Sequence, residues 1–239
     1  GRHESHRSQA DQTEIVGRPV ALGSLVAVIG YFHRDIWRIT CGWFGSLRPG
    51  GTPTVDSRLG WAVIVGTLPV VIAGLLLKSL VEGELRAPWV IGLTTILFGL
   101  LLGVVDLRAR RERDLDRLTL TDAVVIGLSQ ILALIPGTSR SGITITAGLW
   151  LGLNRAAASR FSFLLSIPTI LASGVLVTKD LLESSGPVDW PSLGLAVLLS
   201  GIAAYLAIAL FLRFIERIGM WPFVVYRLLL GAVIFYLIA

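Results

Sequence analysis

The residues of this sequence best suited to chemistry stand together in the stretch Pro136-Gly-Thr-Ser-Arg-Ser-Gly-Ile-Thr-Ile-Thr146. Pro136 and Gly137 interrupt a helix and let the backbone turn. Thr138, Ser139 and Ser141 supply hydroxyl donors. Arg140 supplies a planar cation with five donors. Gly142 permits close backbone approach. The next helix starts directly after it, with its free N–H groups pointing back at the turn. Hydroxyls, a guanidinium and a helix N-terminus in one place make an anion site, and phosphate suits it.

Serines and glycines in membrane helices often serve packing alone, and for these residues by themselves packing is the stronger reading. Arg140 reverses the balance. An arginine at the junction of two apolar runs is costly unless it is paired or wet, and it marks a functional position by default. Gln130, two turns earlier, either aims its amide at the same cavity or makes an interhelical hydrogen bond, two readings of equal weight. Arg227 lies in the last apolar run, near its start and beside Trp221 and Tyr226. Snorkelling to the interface is favoured there over service as a second cation. Asn154, Arg155 and Arg160 read as ordinary interface residues.

The elements that must position this stretch follow from composition and patterning. Of 239 residues 54% are hydrophobic and only 15% charged, and the mean hydropathy is +0.75. So few charges could not cover a soluble surface. Apolar runs occupy Val16–Phe32, Leu59–Leu77, Trp89–Val105, Leu120–Ile135, Ile143–Leu153, Phe161–Val177, Leu193–Leu212 and Trp221–Ala239. Most reach the roughly 17 residues a helix needs to cross hydrocarbon. Only helices satisfy their own backbone in lipid, and the alternation of an outer-membrane barrel is absent. The fold class is therefore all-α, a polytopic integral membrane protein over residues 16–239. Residues 1–15, rich in polar side chains, are expected to stand apart as an atypical, disordered or misread segment. The net charge of +5 comes from arginines between the runs. Arg108, Arg110, Arg111, Arg113 and Arg117 fill one connection, whereas Lys78–Ala87 and Lys179–Trp190 are balanced or acidic. That alternation puts the arginine connections in the cytoplasm and the PGTSRSG turn toward the outer side. Nucleic-acid binding is set aside, because no basic segment carries interleaved aromatics or a base-reading motif. Trp37, Trp43, Trp89, Trp190 and Trp221 lie at run ends, as an aromatic belt requires. Ile143–Leu153 is too short for an easy crossing, so the turn belongs to a re-entrant hairpin or to a pair of broken helices around a polar site.

The stretch from Gln130 to Thr146, the stretch Ala157–Pro168, and the closing residues Phe214–Ile218 and Pro222–Arg227 closely resemble the undecaprenyl-diphosphate phosphatases, also called bacitracin-resistance proteins. The resemblance runs from about Ala21 to the end, and PGxSRSxxT is that family's second signature. It implies an all-α fold of inverted repeats with two re-entrant hairpins meeting at the site. It implies hydrolysis of undecaprenyl diphosphate to the monophosphate at the outer face of the bacterial inner membrane, recycling the lipid carrier for peptidoglycan and conferring bacitracin resistance. It assigns catalytic roles to Arg140 and Ser139. Diphosphate binding falls to Gly137, Thr138, Ser139, Arg140, Ser141 and Thr144, with Gln130 alongside. The partners it implies are a polyprenyl diphosphate lipid and the bilayer, and a homodimer is compatible with it. It also implies a divalent cation, Mg²⁺ or Ca²⁺.

The family's first signature, an acidic motif bearing Ser and His, has no counterpart here. Gly1–Gly17 is out of pattern, and Glu4, Glu14, His3 and His6 receive no metal or catalytic role. A truncated or frame-shifted start is the expected explanation, ahead of an inactive homologue that binds lipid diphosphate with impaired turnover. Phosphoanhydride hydrolysis needs charge neutralisation, which Arg140 and hydroxyls supply only in part. A transporter or flippase for the lipid carrier would show the same fold cues. Replacing Arg140 with Ala separates these readings. A phosphatase is expected to stop releasing phosphate, whereas a carrier protein would move lipid more slowly with no hydrolysis to lose.

Overall fold

Peptide groups in hydrocarbon have no water to bond to, and a helix satisfies them within one segment. The computed structural model describes residues 2–50, 52–77, 84–183 and 190–238, and it is helical almost throughout. Among those residues the order is α1 (Arg2–Ser46), α2 (Val55–Leu76), α3 (Pro88–Arg108), α4 (Leu120–Ile131), α5 (Arg140–Trp150), α6 (Arg155–Glu183), α7 (Trp190–Ile218) and α8 (Trp221–Ile238). Among the described residues four stretches are long and apolar enough to cross a bilayer: α2, α3, Pro191–Ile215 of α7, and α8. This is the all-α polytopic architecture expected of the composition.

Of the two re-entrant hairpins that the resemblance implies, the described residues show one. The backbone of α1 is a single helix from Arg2 to Ser46, so no re-entrant hairpin precedes α2 among the described residues. The sequence between Arg2 and Arg18 holds no proline and no Pro-Gly pair to turn it back. The side chains of residues 1–19 lie outside the described residues, and the reading of residues 1–15 rests on them. The same holds for Lys78, Glu82, Glu84, Lys179, Asp180, Glu183, Asp189 and Trp190.

Contacts divide the chain into two compact units, Gly1–Ile36 with Ser166–Phe211, and Trp37–Leu165 with Leu212–Ala239. In the first, Tyr31 meets Phe32 and Tyr205 edge-on, with ring centroids 4.9 and 5.4 Å apart. The second carries the PGTSRSG turn. Here α2 packs against α4 and α3 against α8. The face of α4 that is buried carries Ala123, Ile126, Gly127 and Gln130, at helical spacing. Gly127 lies against the Gly66 backbone of α2, where any Cβ would collide. Apolar burial drives no helix association in lipid, so close backbone approach through small residues does that work.

The polar turn sits at the tip of a true hairpin. Legs α4 and α5 have 12 and 11 residues, about 18 and 16 Å of rise, well short of the roughly 30 Å of hydrocarbon. Their open ends meet at one residue. The backbone of Arg113 bonds Gly152 O at 3.0 Å and Asn154 N at 2.8 Å. Its guanidinium donates to Leu151 O at 2.9 Å, Arg117 O at 2.8 Å and Asp122 at 2.5 Å. Asp122 in turn closes a capping box with Thr119 at the start of α4. The bond to Asp122 raises the Arg113 pKa above its usual value, against the cost of burial. Both legs thus begin and end at the arginine-rich connection.

A second clamp corrects the reading of Arg155 as an ordinary interface residue. It donates from Nε and one terminal nitrogen to the two Asp106 oxygens, at 2.7 and 2.8 Å. Asp106 is 1% exposed, and Met220 N lies 3.5 Å from its Oδ2. One carboxylate therefore ties the end of α3 to the starts of α6 and α8. Asn154 caps α6 by accepting from Ala157 N at 2.7 Å, while Arg160 is exposed. Trp37, Trp89 and Trp221 are exposed near helix ends, but Trp43 packs on Trp61 with centroids 5.6 Å apart.

Removing one partner of a buried pair strands the other charge. Asp106→Ala is expected to cost about 3–5 kcal/mol, read as a lowered melting temperature of the detergent-purified chain. The double change Asp106→Leu with Arg155→Met should recover most of that loss.

Candidate anion site at the hairpin tip

Irregular backbone at membrane depth persists only where the protein supplies its hydrogen bonds. Residues 135–139 are such backbone, and α3 and α8 supply them. Arg227 of α8 donates from one terminal nitrogen to Gly137 O at 2.7 Å and from Nε to Thr95 O at 3.3 Å. Thr94 Oγ1 lies between the carbonyls of Val90 at 2.8 Å and Pro136 at 2.7 Å, and donates to one or the other. Thr95 Oγ1 bonds Ile91 O at 2.6 Å and lies 3.3 Å from Gly137 O. Thr94 stands about 9 Å from the start of α3 and about 21 Å from its basic end. The tip is therefore sunk into the part of the span farther from the arginine connection.

Conformation at the tip is unusual at two residues. Gly137 has φ +89°, and a Cβ there would overlap Thr94 Oγ1 and the Ile91 carbonyl. Ser139 has φ 66° and ψ 116°, a region that non-glycine residues rarely occupy. A strained residue held by its surroundings points toward function. Ser139 Oγ accepts from Gly142 N at 3.2 Å and so caps α5. Ser141 Oγ lies 3.5 Å away.

The structure brings Gly137, Ser139, Arg140 and Ser141 together at the tip. Ser139 and Ser141 are exposed and Arg140 is half-buried. Arg227 is 9% exposed, and a Cβ placed on Gly142 would touch its other terminal nitrogen at 3.5 Å. The Arg227 guanidinium and the positive end of α5, with Arg140 in its first turn, thus stand beside two exposed hydroxyls, an arrangement suited to a multiply charged anion. The expectation that Arg227 snorkels is overturned, because its stem runs inward over Gly99 and its head bonds the tip.

Three expected residues are turned away from the open side. Gln130 is 1% exposed, and its amide nitrogen lies 3.5 Å from Gly66 O of α2. The interhelical reading is thus the one the fold takes. Thr144 Oγ1 lies 2.9 Å from Arg140 O and 2.7 Å from Ser162 Oγ of α6, so it braces α5. Thr138 is wholly buried, and its hydroxyl has no hydrogen-bond partner among the described residues. Thr94, Thr95 and Ser162 were not expected at the site, and Arg227 only as the less favoured reading. Polar residues inside apolar runs were the signal for them.

Among the described residues, no three His, Cys, Asp or Glu side chains group as a metal site. Among the described residues the tip offers hydroxyl and guanidinium side chains, which do not fit a hard divalent cation. Inorganic diphosphate is expected to bind the tip, and Gly137→Ala should weaken it roughly tenfold by forcing the strained turn off α3. Isothermal titration reads this, and unchanged binding would detach the tip geometry from anion recognition.

The family model for bacitracin resistance protein BacA matches residues 4–233. An undecaprenyl-diphosphatase of Chromohalobacter salexigens is 56% identical over 215 residues, covering 90% of this chain and 81% of that protein. One from Alteromonas mediterranea is 54% identical over 221 residues, covering 92% and 82%. Undecaprenyl-diphosphatase 2 of Stutzerimonas stutzeri is 54% identical over 222 residues, covering 90% and 80%.

Proposed function

This chain belongs to the bacitracin resistance protein BacA family, and from that premise we propose that it hydrolyses undecaprenyl diphosphate to undecaprenyl phosphate and inorganic phosphate. The reaction recycles the lipid carrier for peptidoglycan synthesis and so confers bacitracin resistance. The observation that carries the reading is the hairpin tip, where Ser139, Arg140 and Ser141 stand at a helix N-terminus backed by Arg227.

The chemistry follows from those groups. Attack of water on the terminal phosphorus, its proton passing to solvent as the new P–O bond forms, spreads negative charge over the equatorial oxygens, and the bridging oxygen leaves with its electron pair on the lipid monophosphate. Arg140 pairs with the phosphoryl oxygens, and the Ser139 and Ser141 hydroxyls donate to them. The fixed N–H dipoles of α5 add to this without reorganisation. Arg227 holds the Gly137 carbonyl and keeps the strained turn in place. The divalent cation implied by the resemblance has no donor set among the described residues.

We place the tip toward the outer face of the bacterial inner membrane. The support is the arginine-rich connection of residues 108–117, at which both hairpin legs open, together with the positive-inside bias. A polyprenyl tail would lie among the apolar helices beside the tip.

Phosphate release by the purified chain from undecaprenyl diphosphate tests the activity. Arg140→Lys, which cannot make the bidentate contact, is expected to lower kcat about 10²–10³-fold, with Ser139→Ala also reduced. Equal rates in parent and variants would remove the tip from the reaction. Comparing rates after dialysis against a chelator reads the dependence on a divalent cation. For orientation, Ser141→Cys in a Cys41→Ser background should react with an impermeant thiol reagent added outside intact spheroplasts.

A further inference from the structure

A groove of about 800 Å³ lies beneath the tip, between the second half of α3 and both hairpin legs. Its walls repeat at helical spacing: Leu101 and Val104 from α3, Ile143 and Trp150 from α5, and Leu132 just past α4. The polar atoms of its floor are turned inward. Thr146 Oγ1 donates to Gly142 O and Ser129 Oγ to Ile126 O, each at 2.7 Å. What the groove presents is therefore methyl and methylene surface. At its basic end stand Arg108 and Arg110, both exposed. Neither is paired with a carboxylate among the described residues. The groove runs about 10 Å along α3 from Arg108 to Leu101, and its volume is that of a small-molecule site. It is a site separate from the tip, because its cations stand at the opposite end of α3 from Thr94.

We propose that this groove holds one acyl chain of an anionic phospholipid from the leaflet that meets the arginine connection, with the phosphate against Arg108 and Arg110. Charge complementarity selects the occupant. A zwitterionic lipid brings its own cation to the same place, whereas an anionic head leaves its charge to the two arginines. Basic pockets between transmembrane helices bind anionic lipid heads on the cytoplasmic side by this same logic. The lipid would brace the two short legs, which by themselves span only part of the hydrocarbon.

The full chain, purified in detergent, is titrated with phosphatidylglycerol and separately with phosphatidylcholine of the same acyl chains, and bound lipid is read by native mass spectrometry. Phosphatidylglycerol is expected to be retained preferentially. Arg108→Gln with Arg110→Gln should weaken it about 30-fold, roughly fivefold for each charge. Val104→Trp, which fills the groove without altering charge, should weaken it as well. Phosphatidylglycerol with brominated chains should quench the parent more than Trp150→Phe. Equal retention of the two lipids overturns the proposal, as does unchanged affinity in the charge variant or equal quenching. Displacement by undecaprenyl phosphate at lower concentration also overturns it, by making the carrier lipid the occupant.

Discussion

A peptide group withdrawn into hydrocarbon must find its hydrogen bond in the protein, and the turn Pro136–Ser139 puts several such groups at depth. The carbonyl of Gly137 is answered by Arg227 from α8, and that of Pro136 is reached by the Thr94 hydroxyl from α3. These contacts explain why α3 and α8 are packed together, and why they approach the hairpin where they do. Arg227 gains as much as the turn does. A guanidinium in a span needs acceptors, and the turn's unsatisfied carbonyl is one.

The hairpin is fixed at both extremities by different means. At the tip, α3 and α8 hold irregular backbone. At the open end, Arg113 joins the first turn of α4 to the last residues of α5, through its side chain and both of its backbone groups. Between them, Gly66 and Gly127 bring α2 and α4 into backbone contact, and Thr144 braces α5 on α6. Asp106, at the same level as Arg113, ties α3, α6 and the start of α8 with one carboxylate. A rigid frame of this kind is what a strained Ser139 requires, because a φ of 66° persists only where the surroundings over-determine it.

Functionally, the frame separates two kinds of arginine. Arg113 and Arg155 spend their charge on carboxylates and organise the basic end of the bundle. Arg227 spends its bonds on carbonyls, which leaves its positive charge uncancelled beside the N-terminus of α5. It gives the tip a positive field in a low-dielectric setting, where a charge acts more strongly than in water. A diphosphate brings the charge that such a field lacks.

Much of this was legible in the residues. Composition required a membrane protein, and run lengths required helices. The short run Ile143–Leu153 and the PGTSRSG break narrowed the hairpin to two geometries. Arg140 marked the candidate anion site, because a cation between apolar runs has few other uses. These properties are local, carried by a residue type and its neighbours in the chain. The reading went astray where a partner was distant. Arg227 was expected to snorkel and Arg155 to be an interface residue, yet each bonds groups far along the chain: Gly137 and Thr95 for the first, Asp106 for the second. Gln130 and Thr144 share the apparent neighbourhood of the turn, but the rotation of α4 and α5 about their axes aims them at α2 and α6. The sequence by itself determined that a polar, cationic turn must exist within these helices. The tertiary structure alone decided which side chains face it, because that depends on helix rotation and on contacts closed across many residues.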